Sequence, residues 1–290
     1  METIAVAGST GYLGKYIVKT LLKNGYQVLA IARSPSKLKD LPHPNLKITK
    51  ADVTAPSTLK NCFKGVKYVI STVGITRQKD GLTYMDVDYQ ANMNLLNEAK
   101  QAGVKKFIYT SAIKGDQYRY LKIFEAKEKF VDALKNSGLS YTVMRPNGFF
   151  SDMTDFFNMA KSGRIYLFGS GEYKLNPIHG QDLAEVFIRA LNSNKNEIEV
   201  GGPDVLSQNQ IGELALRALN KPVKIIHLPD WIRKLALWSA RTFTSSKTYG
   251  PIEFFLTLMA DDAVASSYGS HHLDSYYHKL VQKDNLKKTT

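Results

Sequence analysis

The sequence predicts a doubly wound α/β fold, a parallel sheet covered by helices on both faces, with a smaller, mostly helical C-terminal lobe. Three observations lead there. Short apolar, β-prone runs alternate with helical patterns through the first half of the 290 residues, the rhythm of a sheet whose crossovers are helices. The first run ends in glycines at positions 8, 11 and 14, which open the first helical pattern. After about residue 150 the alternation loosens and helical patterns dominate.

Thr3 to Ala7 is the first strand. A helix follows, with Ile17, Val18, Leu21 and Leu22 at three-and-four spacing, and ends near Asn24-Gly25. Val28 to Ala32 is the second strand, which completes a βαβ unit. Next come a short strand from Leu46 to Ile48, a helix from Leu59 to Phe63 and a strand from Val66 to Val73. A long helix from Tyr84 to Ala102 ends at Gly103. Lys106 to Thr110 is a strand, Phe124 to Leu134 lies on a helix, and Tyr141 to Met144 is a strand stopped by Arg145-Pro146. Asp284 to Thr290 reads as a frayed polar tail.

Composition narrows the classes. With 43% hydrophobic and 22% charged residues the chain is an ordinary folded protein. Cys62 is the single cysteine, so neither an internal disulfide nor a cysteine-rich metal site can form. His271, His272 and His278 gather near the C-terminus without zinc-ligand spacing and read as polar surface residues; no metal is expected. No basic segment precedes the first apolar run, Gly8 interrupts that run, and no stretch has the length of a membrane span, so a cytoplasmic location is expected. The formal charge is +13, but the lysines spread along the whole chain, which argues for a basic surface and against nucleic-acid binding. Neither a GxSxG elbow nor a phosphate-binding glycine-lysine loop is present.

Each glycine of the turn has a physical job. Gly8 lets the chain turn tightly off the strand, Gly11 leaves the backbone open to a pyrophosphate, and Gly14 lets the helix lie close. The helix N-terminus offers backbone N–H groups and a positive dipole end to phosphates. Residues 1–150 are therefore assigned to an NAD(P)-binding Rossmann domain, and residues 151–290 to the remainder of its sheet plus a C-terminal substrate lobe. NAD-binding versions of this motif carry a carboxylate at the end of the second strand. Here that strand ends in Ala32-Arg33, followed by Ser34 and Lys37. Arg33, Ser34 and Lys37 suit a 2′-phosphate, which favours NADP(H) over NAD(H); the alternative is that Arg33 and Lys37 are solvated surface charges.

Together, VAGSTGYLG at the N-terminus, Ala32-Arg33, Asp52-Val53, Thr72-Val73-Gly74, Asn94, Arg145-Pro146 and the run Pro177 to Ala184 resemble the short-chain dehydrogenase/reductase superfamily. The spacing resembles its atypical branch, which includes NmrA-like and divinyl chlorophyllide reductase-like proteins. The resemblance implies that Gly8, Thr10, Gly11, Tyr12, Leu13 and Gly14 line the pyrophosphate and that Arg33 meets the adenosine phosphate. It also implies that Asp52 and Val53 border the adenine, Thr72, Val73 and Gly74 the ribose, and Pro146, Asn147, Gly148 and Phe149 the nicotinamide side.

The departures concern catalysis. Conventional members carry Tyr-x-x-x-Lys and a nearby hydroxyl. Here Lys127 stands in the corresponding helix, but Ile123 precedes it by four residues, and Ala112 falls at the hydroxyl position despite Thr110 and Ser111 beside it. Alcohol–ketone chemistry needs such an acid or base. Two readings follow. In the first, the chain is an oxidoreductase that moves hydride between NADPH and a small substrate, the proton coming from Tyr118, Tyr120, Lys127, solvent or the substrate; Lys127 and Tyr120 are the catalytic candidates. In the second, it binds the nucleotide without catalysis, as a redox sensor, regulator or assembly factor read by a protein partner.

Asp182 is expected to serve the first turn of a helix. Pro229 to Met259 carries Trp231, Leu235, Leu237, Trp238, Phe243, Phe254, Phe255 and Leu258 among Arg233, Lys234, Arg241 and Lys247. This segment reads either as two helices capping a substrate cleft or as a basic amphipathic surface for a membrane or a hydrophobic substrate.

Overall fold

The computed structural model describes residues 2–76 and 81–289, with side chains as far as Leu286. The chain forms two compact units, Met1–Arg145 with Leu183–Ile198, and Pro146–Asp182 with Glu199–Thr290.

In the first unit, β1 (Thr3–Ala7), α1 (Tyr12–Lys23), β2 (Gln27–Ala32), β3 (Leu46–Lys50), β4 (Tyr68–Ser71), α2 (Asn92–Gln101), β5 (Lys106–Thr110), α3 (Lys122–Lys135) and β6 (Ser140–Pro146) alternate as the sequence predicts. A seven-stranded sheet runs β3-β2-β1-β4-β5-β6, with Glu197–Val200 at the far edge, and every pairing from β3 through β6 is parallel. This is the Rossmann arrangement: the strand order reverses between β1 and β4, and the crevice outside their carboxyl ends is where such sheets bind ligands. Ile4 to Ala7 are wholly buried because helices cover both faces of the central strand. On one face Phe107 and Tyr109 of β5 pack on Phe130 of α3, their ring centroids 5.9 and 4.6 Å away, beside Leu95, Val131 and Leu134.

Two local expectations are corrected. Leu59 to Phe63 is not a helix: a 3-10 turn at Pro56–Leu59 gives way to turns with positive φ at Asn61 and Gly65, which no continuing helix accommodates. The long helix after Tyr84 begins as a π-helical segment, Met85–Ala91, before settling into α2.

In the second unit, α4 (Thr154–Ala160), β7 (Ile165–Phe168), β8 (Lys174–Leu175) and α5 (Gly180–Leu191) are followed by β9 (Glu197–Val200), β10 (Leu206–Ser207) and α6 (Gln208–Ala218). Then come β11 (Ile225–Leu228), α7 (Asp230–Phe243), α8 (Ser246–Leu258) and α9 (Leu273–Thr289). Most of α5 and the start of β9 belong to the first unit. Helices dominate, yet β7 pairs with β11 in parallel and β8 with β10 antiparallel, short pairs that no local pattern announced. Ser207 and Gln210 close a capping box at the start of α6. Phe156, Phe157, Ile211 and Tyr277 meet in the core. The expected frayed tail is instead the end of α9. It is held by the Tyr277 hydroxyl on the Met153 carbonyl at 2.9 Å and by Lys161–Asp284 at 2.5 Å; Thr290 lies outside the described residues. No helix among the described residues is long and apolar enough to cross a membrane.

Candidate nucleotide site

The glycine loop joins β1 to α1. Gly8 adopts φ +79°, and a methyl there would overlap the Thr72 hydroxyl, so Gly8 answers both the turn and its neighbour. Thr72 in turn donates its hydroxyl to the Ala7 carbonyl at 3.2 Å, tying the exit of β4 to the loop. Gly11 N–H bonds the Gly8 carbonyl at 2.9 Å. A methyl on Gly14 would overlap that same carbonyl oxygen, so α1 rests on the loop itself. A methyl on Gly11 would meet only the Gly8 oxygen, at 3.3 Å, and otherwise open space. Gly11 is the N-cap of α1, with neither a side-chain cap nor an acidic residue in the first turn. A backbone cradle kept clear at an uncapped helix start, flanked by Thr10, Tyr12 and Leu13, fits a pyrophosphate. Ser9, which the sequence reading passed over, is wholly buried and donates to the Ile31 carbonyl at 2.8 Å, fixing the loop against the end of β2.

At that strand end Arg33, Ser34 and Lys37 are all exposed, with Pro35–Leu38 forming a 3-10 turn. Asp52 follows β3 next door. Its carboxylate accepts from the Thr54 amide at 3.0 Å and the Thr54 hydroxyl at 2.7 Å. Burial raises the Asp52 pKa, but the two Thr54 bonds and the Arg33 charge outweigh it and hold the carboxyl below its ordinary value. Asn94 donates to the Val53 carbonyl at 3.0 Å, so the long helix positions that loop.

The exit of β4 runs Thr72, Val73, Gly74. A methyl on Gly74 would sit 2.6 Å from Asp88 Oδ1 and 2.8 Å from Lys127 Nζ. The structure thus brings Gly74 and Lys127 together and adds Asp88, which the sequence reading missed. Lys127 Nζ lies 2.7 Å from Asp88 Oδ1; the lysine side chain is 12% exposed and the carboxylate not at all. Burial opposes the lysine's charge, but Asp88 and the neighbouring Tyr109 outweigh it and hold the ammonium above its ordinary pKa. Burial pushes Asp88 up, with Lys127 pulling the other way. The other Asp88 oxygen accepts from the Ile75 amide at 3.2 Å. Asn92 braces the pair: its amide donates to the Asp88 and Val73 carbonyls at 2.9 and 3.2 Å, and its oxygen accepts from Ser71 at 2.6 Å. The burial of Lys127 was signalled in α3, where it falls between Phe124 and Val131 on the helix's apolar face; that pattern carries no signal for Asp88.

Around the proton-relay position the side chains are spent elsewhere. Ile123 is buried. Thr110 donates to the Ser71 carbonyl at 3.0 Å and Ser111 to Glu128 at 2.6 Å. Glu128 also takes both terminal nitrogens of Arg145, each at 2.8 Å, while Arg145 Nε reaches Glu197 at 2.9 Å. Tyr120 is 60% exposed, its ring edge-on to Tyr118 at 5.9 Å; no contact among the described residues joins it to Lys127.

Pro146 to Phe149 open the second unit. The Asn147 amide donates to Asn176 Oδ1 at 2.7 Å and to the Ala263 carbonyl, and its oxygen accepts from the Gly148 amide at 2.7 Å. That side chain is therefore committed within the unit. The Gly148 carbonyl accepts from Ile178, which leads to His179. Asp182 does more than begin α5: it accepts from the His271 ring at 2.7 Å and its amide at 3.0 Å, and from the Ser270 amide at 3.2 Å. His271 is accordingly a half-buried, paired residue stacked on His179 at 4.2 Å, a correction to its reading as surface. Among the described residues no histidine, cysteine or carboxylate cluster fits a metal ion.

Burial and the neighbouring His271 lower the His179 pKa from 6.5 to about 4, with Asp182 opposing and Lys279 assisting. The folded state favours neutral His179, so its stabilisation is full above pH 6.5 and is lost as pH falls from 6.5 towards 4. The loss should be on the order of 2 kcal/mol. Thermal unfolding of wild type and His179→Gln across that window checks it: the difference between the two should shrink as pH falls.

A Rossmann sheet with a glycine cradle at its first turn and a buried lysine beside the exit of its fourth strand defines a dinucleotide-binding protein. Residues 8–194 match the model of the NAD(P)H-binding family, and the chain belongs to it. Among its relatives are the chloroplastic divinyl chlorophyllide a 8-vinyl-reductase of Zea mays, 28% identical over 97% of this chain and 80% of that protein, and the photosystem II assembly factor Ycf39 of Guillardia theta, 27% identical over 78% and 73%. These place it among the atypical short-chain dehydrogenases/reductases. The NADPH-dependent quinone oxidoreductase QOR2 of Escherichia coli, solved with NADPH, shares the fold, with a TM-score of 0.72 and 21% identity over 96% of this chain and 99% of that one.

Proposed function

We propose that the chain is an NADP(H)-dependent oxidoreductase that reduces a conjugated carbon–carbon double bond in a small molecule. The carrying observation is the combination of a complete cradle with a dismantled oxygen relay: Gly8, Gly11, Gly14 and Lys127 are in place, whereas Ile123 is buried and Ser111 is bound to Glu128. The bound nicotinamide would supply hydride. Gly74, Asp88 and Lys127 would seat the ribose, with Lys127 held charged as a donor. Reduction of an activated alkene places its second hydrogen on carbon, where water can deliver the proton, so no buried tyrosine is required. The 8-vinyl-reductase similarity supports that class of reaction.

The test is a panel of ketones, aldehydes and activated alkenes offered with NADPH. Turnover of alkenes without ketones is the expected result; robust ketone reduction would show that another residue, Tyr120 first, protonates oxygen. Arg33, Ser34 and Lys37 are assigned to the 2′-phosphate. Calorimetry should show Arg33→Ala weakening NADPH about ten- to hundredfold, as fits a charge-assisted bond of about 1.5–3 kcal/mol, and barely touching NADH. Equal losses for both cofactors would sink the NADP assignment.

A second reading, a nucleotide-binding assembly factor without turnover, draws support from the similarity to Ycf39. Silence on the whole panel with tight NADPH binding would favour it.

A further inference from the structure

Helix α7 buries none of its residues. Trp231, Leu235 and Trp238 recur at four and three residues on one stripe and are 63%, 50% and 59% exposed. Phe243, at the helix end, is 75% exposed and stands edge-on to Trp238 at 6.0 Å. Solvent does not favour such a stripe: large apolar patches on a protein surface mark a contact. Lys234 and Arg241, seven residues apart and both exposed, run along one flank of it, Lys234 beside Asp230 at 3.4 Å and Arg241 paired with Glu253. Arg241 reaches the buried Glu253 of α8 at 2.6 Å, and Arg233, paired with Asp230 within α7 at 2.6 Å, donates to the Leu256 carbonyl at 3.4 Å, so polar bonds tie the helix to α8 while its aromatic side faces out.

We infer that the exposed face of α7 docks on an anionic lipid surface. Three features select a bilayer over a protein. Tryptophan prefers the boundary between headgroups and acyl chains. Basic residues flanking an apolar stripe are the pattern of helices that lie in the interface plane. The chain's net charge of +13 complements an anionic leaflet. The contact would hold the protein beside a membrane without crossing it.

The two tryptophans of the chain are Trp231 and Trp238, so intrinsic fluorescence reports on this face alone. Vesicles of phosphatidylcholine with phosphatidylglycerol should carry the protein in a flotation gradient and shift its emission to the blue. Pure phosphatidylcholine should bind it at least about tenfold more weakly, since each basic residue near an anionic surface contributes about fivefold. Leu235→Glu with Phe243→Glu should abolish flotation and the shift while leaving the circular-dichroism melt unchanged; Lys234→Glu should weaken binding to anionic vesicles and leave the melt alone. The proposal is overturned by no flotation with either vesicle, by flotation that survives the double variant, or by a concentration-dependent dimer in sedimentation whose tryptophans are already shielded, which would assign the face to a second copy of the chain.

Discussion

Glu128→Ala should destabilise the protein by about 3–5 kcal/mol, the cost of removing one partner from a buried ion pair. Glu128 is buried, takes both terminal nitrogens of Arg145 and accepts from Ser111. Without it the equally buried Arg145 keeps one carboxylate, Glu197, itself shared with Lys135 at 2.6 Å, beside long bonds to the Ala112 carbonyl at 3.4 Å and the Ser111 hydroxyl at 3.5 Å. Glu128→Gln keeps the volume and an acceptor and should lose clearly less. Urea denaturation of the three proteins measures this; an alanine variant as stable as wild type would mean that the guanidinium finds water or another partner. Freed from Glu128 in the alanine variant, the Ser111 hydroxyl can turn elsewhere, so any gain of ketone reduction in that variant would be read directly against the missing relay.

The glycine loop separates fold from binding. Gly14→Ala forces a methyl into the Gly8 carbonyl oxygen, a backbone atom pinned by the Gly11 amide. Overpacking there should cost about 3 kcal/mol and take cofactor binding with it. Gly11→Ala meets far less resistance, since φ at Gly11 is −73° and a methyl finds a single neighbour at 3.3 Å. Its melting temperature should hardly move, while NADPH affinity falls at least about tenfold, or about 1.4 kcal/mol. Calorimetric titration beside a thermal melt distinguishes the two; unchanged affinity in Gly11→Ala would remove the pyrophosphate from this loop.

What the chain reveals before folding follows from how local each determinant is. Thr3–Ala7 and Lys106–Thr110 are continuous apolar runs, because a strand covered on both faces needs no alternation, and their bounds are those expected. The glycine turn is equally local. Asp88 was not legible: the π-helical segment shifts the register ahead of α2, so a three-and-four pattern does not reveal which side chains face inward. The pairing of Arg145 with Glu128 and Glu197 joins residues distant in sequence, and Lys127 declares only its helix face, not its carboxylate. The two-residue strands β8 and β10 carry too few residues for any periodicity.

The order in which a ribosome delivers the chain has a consequence for the first unit. Its sheet is nearly complete at Arg145, yet Leu183–Ile198 belongs to it. The buried Lys106 ammonium donates to the Ala190 and Ser193 carbonyls at 2.6 and 2.5 Å, Thr142 donates to the Lys195 carbonyl at 2.7 Å, and Val143 N–H to Asn196 at 2.7 Å. A nascent chain halted at residue 145 holds a lysine and an edge strand whose acceptors have not been translated. The β5–β6 edge of the sheet therefore waits for a segment synthesised after the whole intervening stretch 146–182, and a fragment cut at the end of β6 lacks those acceptors.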